Sequence, residues 1–244
     1  MRAWGLTDKG AVRSQNQDAY SIDIIRQNEQ AVCVVCDGMG GARAGDVASE
    51  LAVREFTDCL KNGLRQDMDS AAVASLMREA IDRANSEVLR CSLDNSEYFG
   101  MGTTLVATVI TGSSAVVANV GDSRAYLITP QGAKRITRDH SVVEDMIQRG
   151  EITRDQARFH PVKNYITRAI GTEDRVICDV FKVEMLQGDY LLLCTDGLSN
   201  VVSDPEMLFE VIYCGEPDDC CERLMSIASA RGAPDNVTVV LFQR

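Results

Sequence analysis

No stretch of this chain approaches the about 18 consecutive apolar residues that a membrane span needs. No basic segment followed by an apolar one opens it, so no signal peptide is expected. Positive charge is in the minority: 25 Lys and Arg face 36 Asp and Glu, for a net charge of −11. That balance excludes the basic face typical of nucleic-acid binders. Histidine is scarce, with only His140 and His160. Internal repeats, low-complexity tracts and proline-rich linkers are lacking, and the last expected strand leaves no tail or anchor to interpret. The nine cysteines are an odd number spread through apolar patterns. They suit reduced, buried thiols in a cytosol better than a disulfide framework. Cys33 and Cys36 form a lone C-x-x-C in a strand-like run. That spacing puts them on opposite faces, and no second pair completes a zinc site.

What is present is enough apolar material for a sizeable core: 45% of 244 residues, one large domain or two small ones. Short runs rich in valine and isoleucine predict strands over 3–7, 19–25, 31–36, 104–110, 115–120, 124–128, 176–183, 190–194 and 237–242. Two long amphipathic helices follow Asp37. The first aligns Ala44, Val47, Ala48, Leu51, Ala52, Cys59 and Leu60, and the second Val73, Leu76, Met77, Ala80, Ile81, Ala84 and Val88. Shorter helices are expected over 141–149, 205–213 and 216–230, the last with an acidic start that suits a helix N-terminus. Strands and helices come in blocks rather than in strict alternation, which favours an α+β layered sandwich over a doubly wound sheet.

Aspartates punctuate the strands. Asp37 ends Val32-Cys33-Val34-Val35-Cys36, and Asp196 ends Leu191-Leu192-Leu193-Cys194-Thr195; each is followed by glycine. Asp122 sits in a tight link between two strands, and Asp18 and Asp235 each precede one. Antiparallel neighbours place the end of one strand beside the start of the next, so Asp18 and Asp37 should share an edge. If Asp196 and Asp235 border neighbours in the same sense, all can meet at one rim. Two carboxylates about 5 Å apart at an effective dielectric near 20 repel by about 3 kcal/mol. Several such pairs would rival the whole stability of a fold, about 5–15 kcal/mol. A cation between them, or retained protons, must offset that. Oxygen-only ligands suit magnesium, manganese or calcium. A side chain at Gly38 would block its carbonyl from an ion, and glycine tolerates unusual φ. Taken singly, an Asp-Gly pair or an Asp before a strand is ordinary turn chemistry; the joint pattern is not.

Six motifs in order give the sequence a family likeness. They are Arg13-Ser14-Gln15-Asn16-Gln17-Asp18, Asp37-Gly38-Met39-Gly40-Gly41, Gly121-Asp122-Ser123-Arg124, Thr137-Arg138-Asp139-His140-Ser141, Thr195-Asp196-Gly197-Leu198 and Asp235-Asn236-Val237-Thr238. Across nearly its whole length the chain resembles the metal-dependent serine/threonine protein phosphatases of type 2C, in their compact bacterial form. The resemblance implies one catalytic domain over 1–244 with a four-layer α-β-β-α sandwich of two antiparallel sheets. It implies two core Mn2+ or Mg2+ ions bridged by Asp37. Asp196 and Asp235 would complete the first site, and the Gly38 carbonyl would serve the second. Asp18 would hold metal-bound water from behind, and Asp122 with Asp196 would form a third, weaker metal site. Arg13 would grip the substrate phosphate. The chemistry implied is attack of a metal-activated bridging water, with no protein nucleophile. The partners implied are phosphorylated proteins and a bacterial Ser/Thr kinase, in the cytoplasm, with the chain a monomer and neither nucleic acid nor membrane involved.

Three features depart from the family pattern or fall outside its motifs. Met39 stands where relatives from higher organisms carry a histidine general acid, so the leaving-group proton is expected from metal-bound water. His140 is read as satisfying a turn and His160 as fixing a segment. Gln17 replaces a metal-binding glutamate of some relatives and should weaken the second site. The segment 142–170 corresponds to the family's flap. Its Arg149, Arg154, Arg158, Lys163 and Arg168 read either as a solvated face or as contacts for acidic or phosphorylated substrate. Two alternative functions share the fold: a non-catalytic phosphoprotein-binding module, and a narrow phosphatase for a partner-switching antagonist protein.

Overall fold

A run without a polar side chain from Ala31 to Cys36 must be covered on both faces, and the structure supplies both covers. The computed structural model describes residues 1–25, 29–40 and 44–244; Gly41 of the second motif lies outside them. Along the chain come β1 (Arg2–Asp8), β2 (Asp18–Ile25), β3 (Gln30–Met39), α1 (Gly45–Gly63), α2 (Ser70–Asp94), β4 (Gly102–Thr103), β5 (Leu105–Thr111), β6 (Ser114–Val120), β7 (Arg124–Thr129) and β8 (Gly132–Arg135). Then follow α3 (Val142–Gln148), α4 (Arg154–Ala157), β9 (Asp179–Glu184), β10 (Tyr190–Cys194), α5 (Asp196–Ser199), α6 (Asp204–Leu208), α7 (Cys220–Ala230) and β11 (Val237–Gln243). One sheet runs β1-β11-β10-β7-β8; the other runs β2-β3-β5-β6-β9, with β4 against β3.

Strand alternation sorts the core into three layers. Ala31, Cys33, Val35, Val106 and Val117 point between the sheets and meet Ala125, Leu191, Leu193, Val240 and Phe242 of the other sheet. Val32, Val34, Cys36, Ala107 and Val109 point the other way, onto Ala48, Ala52, Phe56, Met77, Ile81 and Ala84 of α1 and α2. Tyr126, Leu192, Val239 and Leu241 lie under Leu198, Val202, Met207, Leu224 and Ala228. Each large apolar side chain so buried contributes about 1.5–3 kcal/mol before conformational entropy is set against it. The four-layer α+β sandwich is the expected fold. Cys33 and Cys36 do fall on opposite faces, and all nine cysteines are free thiols. Burial pushes the Cys33 thiol up to about 12, which keeps it protonated and inert.

The differences are local. The expected strand over 176–183 starts only at Asp179, and β4 and β8 carry no apolar run by which to be recognised. The 205–213 helix is α6 followed by a wide π turn over Phe209–Tyr213. The 216–230 helix opens with a 3-10 turn, Pro217–Asp219. α1 buries more than its apolar stripe: Phe56 and Thr57 are inside. Thr57 can be buried because its hydroxyl donates to the Val53 carbonyl at 2.6 Å. β6 and β7 belong to different sheets, so Gly121–Ser123 is the bridge that carries the chain across, with Asp122 at its centre.

Candidate active site

Two strand ladders each bring one pair of acids together. Asp18 lies opposite Asp37 in the β2–β3 ladder. Asp196 follows β10 and Asp235 precedes β11, which are antiparallel neighbours in the other sheet. The pairs are joined across the sandwich by hydroxyls. Asp18 Oδ2 accepts from Thr195 Oγ1 at 2.9 Å and from Thr238 Oγ1 at 2.7 Å. Its other oxygen, Oδ1, is buried with no hydrogen-bond partner. A cleft of about 500 Å³ opens above, lined by Arg13, Gln17, Asp37, Gly38, Met39, Asp122, Asp196 and Asp235 among others, with no cysteine or histidine. Asp18 stands behind that wall rather than in it.

Crowding shows in the acidities. Burial, then repulsion from Asp18, Asp196, Asp122 and Asp235, drives Asp37 well above the carboxylate range. Burial raises Asp18 to about 7 against the help of its two threonines. Burial, then Asp196 and Asp139, raises Asp122 to about 8. Asp196 also moves up, through burial and then Asp235. Among the described residues no three acidic, histidine or cysteine side chains converge on one point as a finished ligand set. The donor chemistry nevertheless fits a hard divalent cation. It consists of oxygen donors only, mutually repelling, with a buried carboxylate oxygen left over behind them.

Each Asp-Gly pair has a steric reason. A Cβ on Gly38 would lie 1.9 Å from the Gly45 carbonyl oxygen and 2.6 Å from that of Gln17, and one on Gly197 would lie 1.9 Å from the Asn236 carbonyl oxygen. The glycines let a neighbouring backbone press against the site. Gly38 itself is not among the glycines of positive φ, so the expected conformational role does not apply there. Gly197→Ala is expected to cost about 2–3 kcal/mol through overpacking, read as a lower urea midpoint at unchanged slope. A variant as stable as the parent would refute that contact.

Arg13 lies at the cleft mouth, half-exposed, and donates from Nη2 to Asp235 Oδ2 at 2.8 Å. His140 is buried away from the cleft. Its Nδ1 accepts from the Gly121 N–H at 3.1 Å and its own N–H donates to the Gly121 carbonyl at 2.9 Å, so it braces the Asp122 turn, as expected. The His160 ring accepts from the Val162 N–H at 3.4 Å. Sequence reasoning gave no individual role to Asn236, although it stands in the sixth motif. Its Nδ2 donates to the Lys9 and Gln15 carbonyls at 2.8 Å each, and its Oδ1 accepts from the Gln17 N–H at 2.9 Å. One side chain thus fixes the loop that carries Arg13. Arg124 and Asp139, each inside a motif, form a part-buried ion pair at 2.6 Å that ties those two motifs together.

A second cleft of about 850 Å³ adjoins the first and shares Asp122 and Asp196 with it. It runs between α3–α4 and the segment from Ser199 to Glu206. Of the flap cations, Arg149 pairs with Glu151, Arg154 with Glu144 and Arg168 with Asp179.

Comparison with known proteins agrees with this geometry. The family model described as protein phosphatase 2C matches residues 10–230. The serine/threonine phosphatase stp of Listeria monocytogenes is 38% identical over 244 residues, covering 100% of this chain and 96% of that protein. The crystal structure of serine/threonine phosphatase Stp1 from Staphylococcus aureus superposes with a TM-score of 0.91 at 36% identity, over 99% of this chain and 94% of that one. A solved catalytic domain of the serine/threonine protein phosphatase PstP, in complex with two manganese ions, gives a TM-score of 0.85 at 31% identity, over 98% and 96% of the two chains. Motifs, sandwich and clustered aspartates lead to one assignment: the chain belongs to the protein phosphatase 2C family.

Proposed function

We propose that this chain, a metal-dependent serine/threonine protein phosphatase, hydrolyses phosphoserine and phosphothreonine in proteins at the aspartate-lined cleft. In this reading Asp37, Asp196, Asp235 and the Gly38 carbonyl hold two divalent ions, manganese or magnesium, and Asp122 with Asp196 holds a third more weakly. Divalent ions held by these residues would supply Lewis acidity, making water more acidic and offsetting charge on the phosphoryl oxygens. The chain's own groups do the rest. Asp18 keeps an unpaired oxygen behind the carboxylate wall, able to accept a hydrogen bond from water and so orient it. Arg13 offers a planar fork of donors matched to phosphate oxygens, and Asn236 fixes the loop that presents it. The partners are phosphorylated proteins and, by the same reading, a cytosolic Ser/Thr kinase that phosphorylates them. All of 1–244 acts as one catalytic domain and as a monomer.

The observation that carries the proposal is the meeting of carboxyls from both sheets in one cleft, on a chain of this family. Purified protein should hydrolyse an aryl phosphate and a phosphothreonine peptide only with added manganese or magnesium. Metal-independent turnover would overturn it, and phosphopeptide binding without turnover would favour a binding module. Arg13→Ala should raise the peptide KM about tenfold, the value of one charge-assisted contact of about 1.4 kcal/mol. Because Arg13 also meets Asp235, Arg13→Lys separates the roles. It keeps the charge beside Asp235 but loses the fork, so KM should stay high.

A further inference from the structure

We propose that the larger, flap-side cleft binds acidic or additionally phosphorylated residues that flank the scissile phosphoresidue of a substrate protein. The inference rests on the phosphatase reading for what occupies the first cleft, and on charge accounting for the second. Of the six acids lining the flap-side cleft, three are already neutralised from within. Asp139 pairs with Arg124 and Arg135, Glu144 with Arg135 and Arg154, and Glu206 with Arg231. Three cations facing the same space, Arg138, Arg158 and Lys163, have no ion-pair partner among the described residues. Arg138 Nε is moreover buried without any hydrogen-bond acceptor. In a chain of net charge −11, surplus cations are the minority, and these are gathered in one cleft.

An N–H buried without an acceptor is costly to leave unmade. A carboxylate or phosphate from outside would meet the exposed heads of Arg158 and Lys163 and place a counter-charge beside the half-buried Arg138 that offsets part of that cost. The two clefts adjoin, with Asp122 and Asp196 in the walls of both. One extended polypeptide can therefore place its phosphoresidue in the first and a neighbouring anionic side chain in the second. Asp204, exposed at the rim without an ion pair, opposes this, as do Asp122 and Asp196 at the end shared with the first cleft.

The test uses phosphothreonine peptides with neutral flanks, with Asp and Glu flanks, and with a second phosphoserine in place of those acids. The full chain with manganese should show kcat/KM at least about tenfold higher for anionic than for neutral flanks. Exposed contacts supply about a 1.5- to 5-fold factor each, and the half-buried Arg138 more. The ratio should approach one in the Arg138→Gln/Arg158→Gln/Lys163→Gln protein and shrink in about 0.5 M salt. A ratio of two peptides on one protein cancels any general loss of activity, and the Arg158→Gln/Lys163→Gln double variant repeats the test with Arg138 intact. Fluorescence polarisation of the same peptides on the Asp37→Asn chain gives the ratio without turnover, so it decides even if the phosphatase reading fails. Carboxylate flanks outperforming the second phosphate, or the reverse, identifies the preferred anion. No discrimination in the parent, or discrimination that survives the triple substitution, overturns the proposal.

Discussion

Asp37→Asn lowers manganese-dependent kcat by about 10³-fold or more and, in the metal-free protein at pH 8, raises the melting temperature. The first half follows from position. Asp37 lies opposite Asp18 in the ladder and is repelled by Asp196, Asp122 and Asp235. In the proposed reading it is the carboxyl that would serve both ions, since Asp18, Asp196, Asp122 and Asp235 all act on it. Asparagine offers a neutral oxygen in place of a charge, and losing about 4 kcal/mol of transition-state stabilisation is about a thousandfold in rate. The second half follows from the same crowding. One carboxylate pair at about 5 Å and a dielectric near 20 repels by about 3 kcal/mol. Asparagine removes that repulsion. A net gain of about 1–2 kcal/mol corresponds to about 2–8 °C for a chain of this size. The gain should grow as pH rises, because Asp37, raised above its unfolded value, costs the parent but not the variant stability as it ionises. A variant that loses activity and stability together at pH 8 would show Asp37 to be a structural residue instead.

The metal-free protein loses about 3 kcal/mol of stability between pH 6.5 and 8.5, and added manganese removes that slope. In the unfolded chain an aspartate has its ordinary value, 3.8, whereas folded Asp18 titrates at about 7 and Asp122 at about 8. Between those limits the folded state binds more protons than the unfolded one. Stability therefore falls as pH rises, by about 1.4 kcal/mol per pH unit for each group still holding its proton. His140 has the opposite sign, since burial lowers it from 6.5. Its contribution is confined to pH below 6.5, which is why the window begins there. Glu206, held low by Arg231 and Ser203, is ionised throughout and adds no slope. Urea titrations in chelator at pH 6.5, 7.5 and 8.5 measure the fall directly. Manganese displaces the protons as it binds, so the profile should flatten in its presence. A flat metal-free profile would mean that the carboxyls are not crowded as described.

Strand identity and the Asp18–Asp37 pairing were legible because β-strand periodicity and antiparallel register are local rules. The apolar runs were long enough for those rules to operate. β4 and β8 were not legible, because Gly102–Thr103 and Gly132–Arg135 are strands only by virtue of their neighbours. The four-residue helix that starts at Asp196 was hidden for the same reason. The basic flap residues could not be divided into paired and unpaired from spacing. Glu144, the buried residue of α3, takes Arg154 from ten residues away, and nothing local predicts it. The motif residues Arg124, Asp139 and Asn236 had no assigned role because their partners lie 15 to more than 200 residues off in sequence.

The sequence by itself determined which residue types could do this chemistry and which end of each strand they occupy, since both depend on short-range alternation. Only the tertiary structure decided that acids from two different sheets face one another. That depends on how two sheets stack and on the Gly121–Ser123 crossing between them, and stacking is governed by side-chain packing between distant strands, which no local pattern encodes.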